Sequence, residues 1–425
     1  MKKQFWIDSI LATIFVFSIM WIIFNVTQFK IFDAFDPIGE ALDDMDITDV
    51  AFSNLREDPL PDTNIVVVNI GYLNRAELAH EISIINKYDP KIVGVDIFFD
   101  GLKSDTLGDV FLSNVLDEVD SLVLVSELLQ TPQFAIEHPG DDYFDSLHTS
   151  HPIFGGGAYH GFANLFTDAE TQEDFKTCRA FPPQRKVKKE SNEAFAVKIA
   201  QLYAPQKASN FLERGNASEV INYRGNIIDP FTRTDYPNRF YALDVDDVLK
   251  ENFVPGLIKD KIVLFGYMGK DFFDTSWDDK FFTPLNKKYA GKTNPDMYGV
   301  VVHANIISMI LNEDYVNDLN DKEGFGIVLA ILICFVNVVL FSYIYYRLPD
   351  WYDGITKTIQ LLEIGLILFV IVMVFSAYSF KLNLVITLAA IALAGDALEV
   401  YYGVVKNIFN KEKRKQLFTI KRKAV

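Results

Sequence analysis

Cysteine, histidine and tryptophan are scarce in this chain of 425 residues: it has two, six and four of them. Two cysteines make no disulfide framework. Cys178 sits in a polar middle segment and Cys334 inside an apolar run, so the two are not expected to meet. Basic residues are also in short supply, 40 Lys and Arg against 57 Asp and Glu, for a net charge of -17. A nucleic-acid partner needs a clustered basic face and is not expected. There is no repeat and no low-complexity segment. No Ser/His/Asp order, nucleophile elbow or metalloprotease motif is present, so no enzyme is expected. No cofactor is expected either: GYMG at Gly266 to Gly269 follows a strand pattern but lacks both phosphate-loop signatures and reads as a turn.

Apolar residues, by contrast, make up 50% of the chain, and mean hydropathy is slightly positive, which points to membrane segments. Residues 5–24 form a run of about the ~20 residues a helical span requires. No small-residue cleavage site follows, so the run reads as a retained anchor rather than a signal peptide. Further runs cover residues 325–346, 358–378 and 382–404, the last two joined by a tight hairpin. Lys2 and Lys3, the pair Arg347 and Lys357, and the basic tail 405–425 mark the cytoplasmic side. The expected layout is a short cytoplasmic start (1–4), one span, a domain of residues 25–324 outside, and three more spans. In a Gram-negative cell this is a multi-pass protein of the inner membrane with its main domain in the periplasm.

That domain reads as alternating strand and helix. Strands are expected at Asn64 to Gly71, Lys91 to Phe99, Ser121 to Glu127, Glu219 to Tyr223 and Lys261 to Phe265. Helices are expected at Arg75 to Tyr88, Leu107 to Val119, Asn192 to Tyr203 and Asp244 to Glu251. Residues 129–189 read as irregular. Such alternation implies right-handed crossovers and an α/β fold, a mainly parallel sheet flanked by helices, alongside four transmembrane helices.

Several segments occur in a recognisable order: KIVGVDIFFD with the helix-forming LKSDTLGDVFL after it, INYRG at Ile221 to Gly225, YALDVDDVL leading to KDKIVLFGYMGKDFFD, and FFTPLN followed by YGVVVHANIISMIL. The ordered set resembles the second type of CHASE domain, the extracytoplasmic sensory domain of many bacterial histidine kinases and nucleotide cyclases. The resemblance covers roughly residues 30–315 and includes the arrangement of one span before the domain and three after it. It implies a sensory role. About 20 residues follow the last span, with no kinase, cyclase or phosphatase motif among them, so the expected output is through the helices to a separate membrane or periplasmic protein. A structural subunit that uses the domain only for docking is the alternative, and homo-oligomerisation stays open.

Candidate site residues follow from position. Asp96 and Asp274 lie at or beyond the ends of strands, where α/β ligand sites form; each is a ligand or cation contact, or else a cap on nearby backbone amides. Asn164 and Arg179 fall where the family carries a G-x-x-N…D…R pattern, with Asp168 between them; the Arg would hold an anionic ligand or, as favoured here, a neighbouring Asp. Asn305 is a ligand candidate on the helix YGVVVHANIISMIL. His303 is expected on that helix's apolar face as a structural core histidine, with Asn305 on the opposite side. His148 and His151, in HTSH beside Asp145, are candidate metal ligands set against a solvated loop. Glu363, Asp396 and Glu399 are intramembrane acids. At ~1.5 Å per residue they sit roughly 8–12 Å from the cytoplasmic ends of their spans. No basic residue of the chain is expected at that depth, so Asp396 is expected to dock a basic partner helix or take up a proton.

Overall fold

The computed structural model describes residues 2–27, 47–55, 60–104, 106–137, 144–167, 177–227, 238–286, 294–318, 325–382 and 384–408. Asp168 lies outside them. The chain divides into two compact units, residues 44–317 and the two flanking segments 1–43 and 318–425.

The first helix, α1 (Lys2–Thr27), belongs to the flanking unit. The domain starts with α2 (Ile47–Asn54) and β1 (Asp62–Asn69), followed by α3 (Arg75–Asn86), β2 (Ile92–Val95), α4 (Thr106–Asp117), β3 (Leu122–Leu129) and α5 (Pro132–Glu137). Two short strands come next, β4 (Ser146–Thr149) and β5 (Tyr159–Phe162), then α6 (Phe195–Tyr203) and α7 (Pro205–Leu212). The order ends with β6 (Asn226–Ile227), β7 (Asn238–Leu243), α8 (Val245–Leu249), β8 (Ile262–Gly266), β9 (Lys280–Phe281), β10 (Met297–Tyr298) and α9 (Gly299–Asn312).

Local chemistry starts and stops these elements. Asn74 caps α3: its side chain accepts from the Ala76 and Glu77 amides while Glu77 reaches back to the Asn74 amide, a complete capping box. Asp89 turns the chain with φ of 53° just before Pro90. The sheet runs β6-β7-β1-β8-β2-β3-β4 with β5 also on β3. The pairs β7–β1, β1–β8, β8–β2 and β2–β3 are parallel, and β4 alone is antiparallel in this sheet. In β1 the residues Ile65 to Val68 and in β8 Ile262 to Phe265 are all buried. Such runs lack polar alternation because both faces of a parallel sheet are covered. One face carries α3 and α4, whose Leu78, Ile82, Leu112 and Leu116 join Val66, Val68, Val93 and Val95 in one core. The other carries α6 and α9. Gly94, Gly161 and Gly266 let those helices approach: an added Cβ would meet Ile199, the Phe195 backbone and Val300 at 2.7, 2.6 and 2.5 Å.

The strands and helices of the first half lie where the sequence places them, within a few residues. Two expectations change. The strand expected at Glu219 to Tyr223 is not part of the main sheet: only Glu219–Val220 is extended, paired with Ala180–Phe181. And residues 129–189 contribute β4 and β5, which line β3 on the far side of the sheet. They are short and edge-like, with Gly161 in the middle, so their sequence carries no β-branched run to announce them.

In the flanking unit, α1 is joined by α10 (Phe325–Arg347), α11 (Tyr352–Tyr378) and α12 (Val385–Val400). Among the described residues, four helices are long and apolar enough to cross a membrane, over Lys3–Ile23, Gly326–Arg347, Pro349–Tyr378 and Val385–Ile408. Several of their polar groups find partners within the unit, while the Thr387 hydroxyl is buried without one. Asn337 donates to Glu363 at 2.6 Å, Gln360 to the Ile391 carbonyl at 2.6 Å, and Tyr352 to the Gly395 carbonyl at 2.8 Å. Lys357 pairs with Asp396 at 2.6 Å, and Lys406 with Asp8 at 2.5 Å. This corrects the reading of Asp396: helix α11 begins at Tyr352 and brings Lys357 alongside it, so a basic residue of this chain does reach that depth. Glu399 is exposed, on the same face as Asp396.

Candidate ligand site

The carboxyl ends of the parallel strands form one edge, and its two halves treat their polar side chains differently. At the end of β1, Asn69 is fully buried. It donates to Asp244 at 2.8 Å and to the Gly269 carbonyl at 3.2 Å, and it accepts from the amides of Gly71 and Met268. Asp244, which caps α8, also accepts from the Phe272 amide at 3.1 Å. Asp274 accepts from the amides of Lys270 and Ser276 at 2.7 and 2.8 Å, bonds that hold its carboxyl below the usual range. GYMG is therefore a turn tied down by Asn69, with Gly269 at φ of 85°. Asp274 is a turn cap with its oxygens occupied, not a ligand group; the β8–β2 pairing does put it and Asp96 on the same edge.

At the ends of β2, β3 and β5 a cavity of about 190 Å³ opens instead, lined by Asp96, Phe98, Ser126, Glu127, Asn164, Asp279, Phe281 and His303 among others. Asp96 follows β2 directly, and its carboxylate has no hydrogen-bond partner among the described residues. Burial, with the negative charge of Asp279 beside it, pushes it up to about 8. Asp279 reaches the edge from the loop after β8, in a left-handed turn with φ of 56°. Its carboxylate lies against Gly299, the first residue of α9, where an added Cβ would stand 3.2 Å from either oxygen. Burial pushes Asp279 up to about 6, opposed by the Gly299 amide.

His303 sits one turn into α9 at 3% exposure. Its bond to the Ala163 backbone uses one ring nitrogen, while Nδ1 is buried without a partner. Burial holds the imidazole down to about 4, so it is neutral, with Nδ1 an unfilled acceptor. The expectation of a core histidine satisfied by backbone is thus half met: the ring is buried and bonded, and it also forms a cavity wall.

Asn164 lines the cavity, but its amide is held by the Leu128 backbone, accepting at 2.7 Å and donating at 3.2 Å, which extends the β3–β5 ladder by a side chain. Nearer the rim, His148 stacks on Phe98 and lies 3.1 Å from Asp100 and 3.5 Å from Glu127. His151 accepts the Ile153 amide on Nδ1. Among the described residues no group of three His, Cys, Asp or Glu is arranged to hold a metal ion, and His148 and His151 make separate contacts.

Two remaining candidates belong to the core. Arg179 makes a bidentate pair with Asp49 of α2 at 3.2 and 2.6 Å, the internal alternative. Asn305, at 1% exposure, accepts from the Arg224 amide at 3.0 Å and donates to the carbonyls of Gly225 and Val301 at 2.9 and 3.0 Å. Every residue from Gly299 to Leu311 is buried, so the side of α9 opposite His303 packs too. INYRG is the segment packed there: Tyr223 donates to the Cys178 carbonyl and Arg224 pairs with Asp314. Asn305 is the bolt between them, not a ligand group. Asp279 escapes sequence reading because nothing in WDDK distinguishes it from a solvated turn; only the fold brings it to Asp96.

The family model of the CHASE2 domain, a family of extracellular sensory domains, matches residues 19–340, well over half of the chain. The chain belongs to that family. No curated protein and no solved structure is similar enough to match it.

Proposed function

From its place in a sensory family, we propose that this protein is a membrane-anchored sensor of the bacterial envelope whose α/β domain binds a small ligand at the carboxyl edge of its sheet. The observation that carries this reading is the cavity beside Asp96, an acid with no hydrogen-bond partner among the described residues, backed by the buried, unpartnered Nδ1 of His303. A docking subunit needs no such cavity; unfilled buried acceptors cost stability and are retained where something fills them. The domain faces the periplasm, and both termini are cytoplasmic, following the distribution of Lys and Arg.

Signal transfer runs through α9. The N-terminal turns of this helix carry Gly299 and His303, both on the cavity wall. Its C-terminus, at Asn312, precedes the first residue of α10 by only a short linker. A ligand that binds one setting of α9 better than another biases that setting by its differential affinity. A separate membrane or periplasmic protein reads the change, and the protein itself performs no chemistry.

The test is co-purification of the intact protein from membranes in mild detergent, with quantitative mass spectrometry, comparing wild type with Asp96→Asn and His303→Gln. Recovery of a signalling partner whose yield changes with the cavity substitutions is expected. Partners recovered equally with all three forms would instead identify a docking subunit.

A further inference from the structure

We propose that the cavity at the carboxyl edge takes a small organic cation, a primary alkyl amine or diamine carrying no anionic group. The inference rests on the sensory reading of the same site and adds the class of ligand.

Two carboxyl groups and one imidazole belong to the polar part of this wall. The Asp96 carboxyl has no hydrogen-bond partner among the described residues, the Asp279 carboxylate lies over Gly299, and His303 stands behind them with Nδ1 buried and unpartnered. Asn164 is engaged with Leu128 through both its oxygen and its nitrogen. No Lys or Arg lines the cavity. The wall therefore holds acids with no cation to balance them once they ionise, and its donors are the Ser126 hydroxyl and, below about pH 8, the Asp96 carboxyl proton. An ammonium group supplies three N–H donors and one positive charge, which complements ionised Asp96 and Asp279.

Other ligand classes fit less well. A carboxylate, a phosphate or a zwitterion would bring an anion to a wall without a cation. A neutral polyol would donate hydrogen bonds but leave the charge unbalanced. A bare metal ion would leave most of the volume empty, and the acids and His303 are not close enough together to ligate one. At ~30 Å³ per water in the liquid, 190 Å³ holds about six water-sized groups, the size of a four-carbon amine or diamine. Phe98 and Phe281 supply apolar surface for the carbon chain, and Glu127 is a third acid, available to a second ammonium.

The titratable groups facing Asp96 are Asp279, His303 and Glu127, with His148 and Asp100 beyond Glu127. Because the bound cation requires ionised Asp96, binding expels a proton from it below about pH 8.

The experiment is isothermal titration calorimetry on the full chain in detergent at pH 8, with butylamine and 1,4-diaminobutane as probes and butyrate, butanol and zinc chloride as comparisons. Saturable binding of an amine is expected, with none for butyrate or butanol. Affinity should fall about fivefold from pH 8 to 7 and about tenfold from pH 7 to 6. Asp96→Asn and, separately, Asp279→Asn should each weaken binding by at least tenfold while their thermal melts stay at or above wild type. Asp274→Asn, on the closed half of the edge, should bind as wild type does. The proposal fails if no amine binds up to tens of millimolar, if both cavity variants bind undiminished, or if zinc binds and amines do not. In each of those cases a cavity substitution that still alters partner recovery would leave the sensory reading standing.

Discussion

Acidic side chains meet two different fates in this protein. In the helical unit Asp8, Glu363 and Asp396 each have a partner in the same unit: Lys406, Asn337 and Lys357. In the α/β domain Asp96 has none and Glu81, fully buried in α3, has neither oxygen bonded. Hydrocarbon offers no water, so an acid placed there gains from a partner, as these three do, while Glu399, exposed on α12, has none among the described residues. A domain in water can protonate an unpaired acid, or hold it open for something that arrives later. Paired groups in this molecule are therefore structural, and unpaired ones are either costs or sites.

The comparison is broken first by removing a paired group. Asn305→Leu strands the Arg224 amide and the Gly225 carbonyl and should lower stability by about 3 kcal/mol, read as a fall in the thermal melt of the full chain. Next is Lys357→Met, which leaves the half-exposed Asp396 without its partner and should lower the melt by less than Asn305→Leu does. The double change Lys357→Met with Asp396→Leu should restore most of the loss in detergent melts. A double variant as unstable as the single would mean that the pair is not what matters there.

An unpaired group should behave in the opposite way. Burial raises Glu81 from 4.5 to about 8, so the fold favours its neutral form. Its stabilising effect is complete below about pH 4.5 and is lost as pH rises through about 8. Glu81→Gln should therefore raise the melt at pH 9 by on the order of 1–3 kcal/mol and leave it unchanged at pH 4. The smallest effect is expected at His303. With Nδ1 already unpartnered, His303→Gln removes one bond to the Ala163 backbone and should lower hydrogen-exchange protection in the first turns of α9 by no more than about tenfold. Unchanged protection would argue that the bond does not fix the helix.

Much of the domain is legible in its sequence because both faces of a parallel sheet are covered. NIVVVNIG, KIVGVDIFF and KIVLFG must be buried strands, since β-branched runs of that length have no other stable use between helices. The spans are equally plain from length alone. Helix α9 misleads: a wheel assumes one wet face, and this helix is packed on all sides, so Asn305 lands against INYRG rather than in solvent. Short edge strands such as YHGF carry no periodicity to read.

The sequence by itself determined the central strands β1, β2, β3 and β8 with the helices α3 and α4, the apolar runs and the family, because each rests on local pattern or on motifs in series. Which polar residues meet was decided only by the tertiary structure. Asp96, Asp279 and His303 come from a strand end, a loop and a helix far apart in the chain, and the crossing of β8 between β1 and β2 is what gathers them. Lys357 likewise reaches Asp396 through the pairing of two helices. Charge and hydrogen bonding act over a few ångströms in space, and no spacing along the chain records those distances.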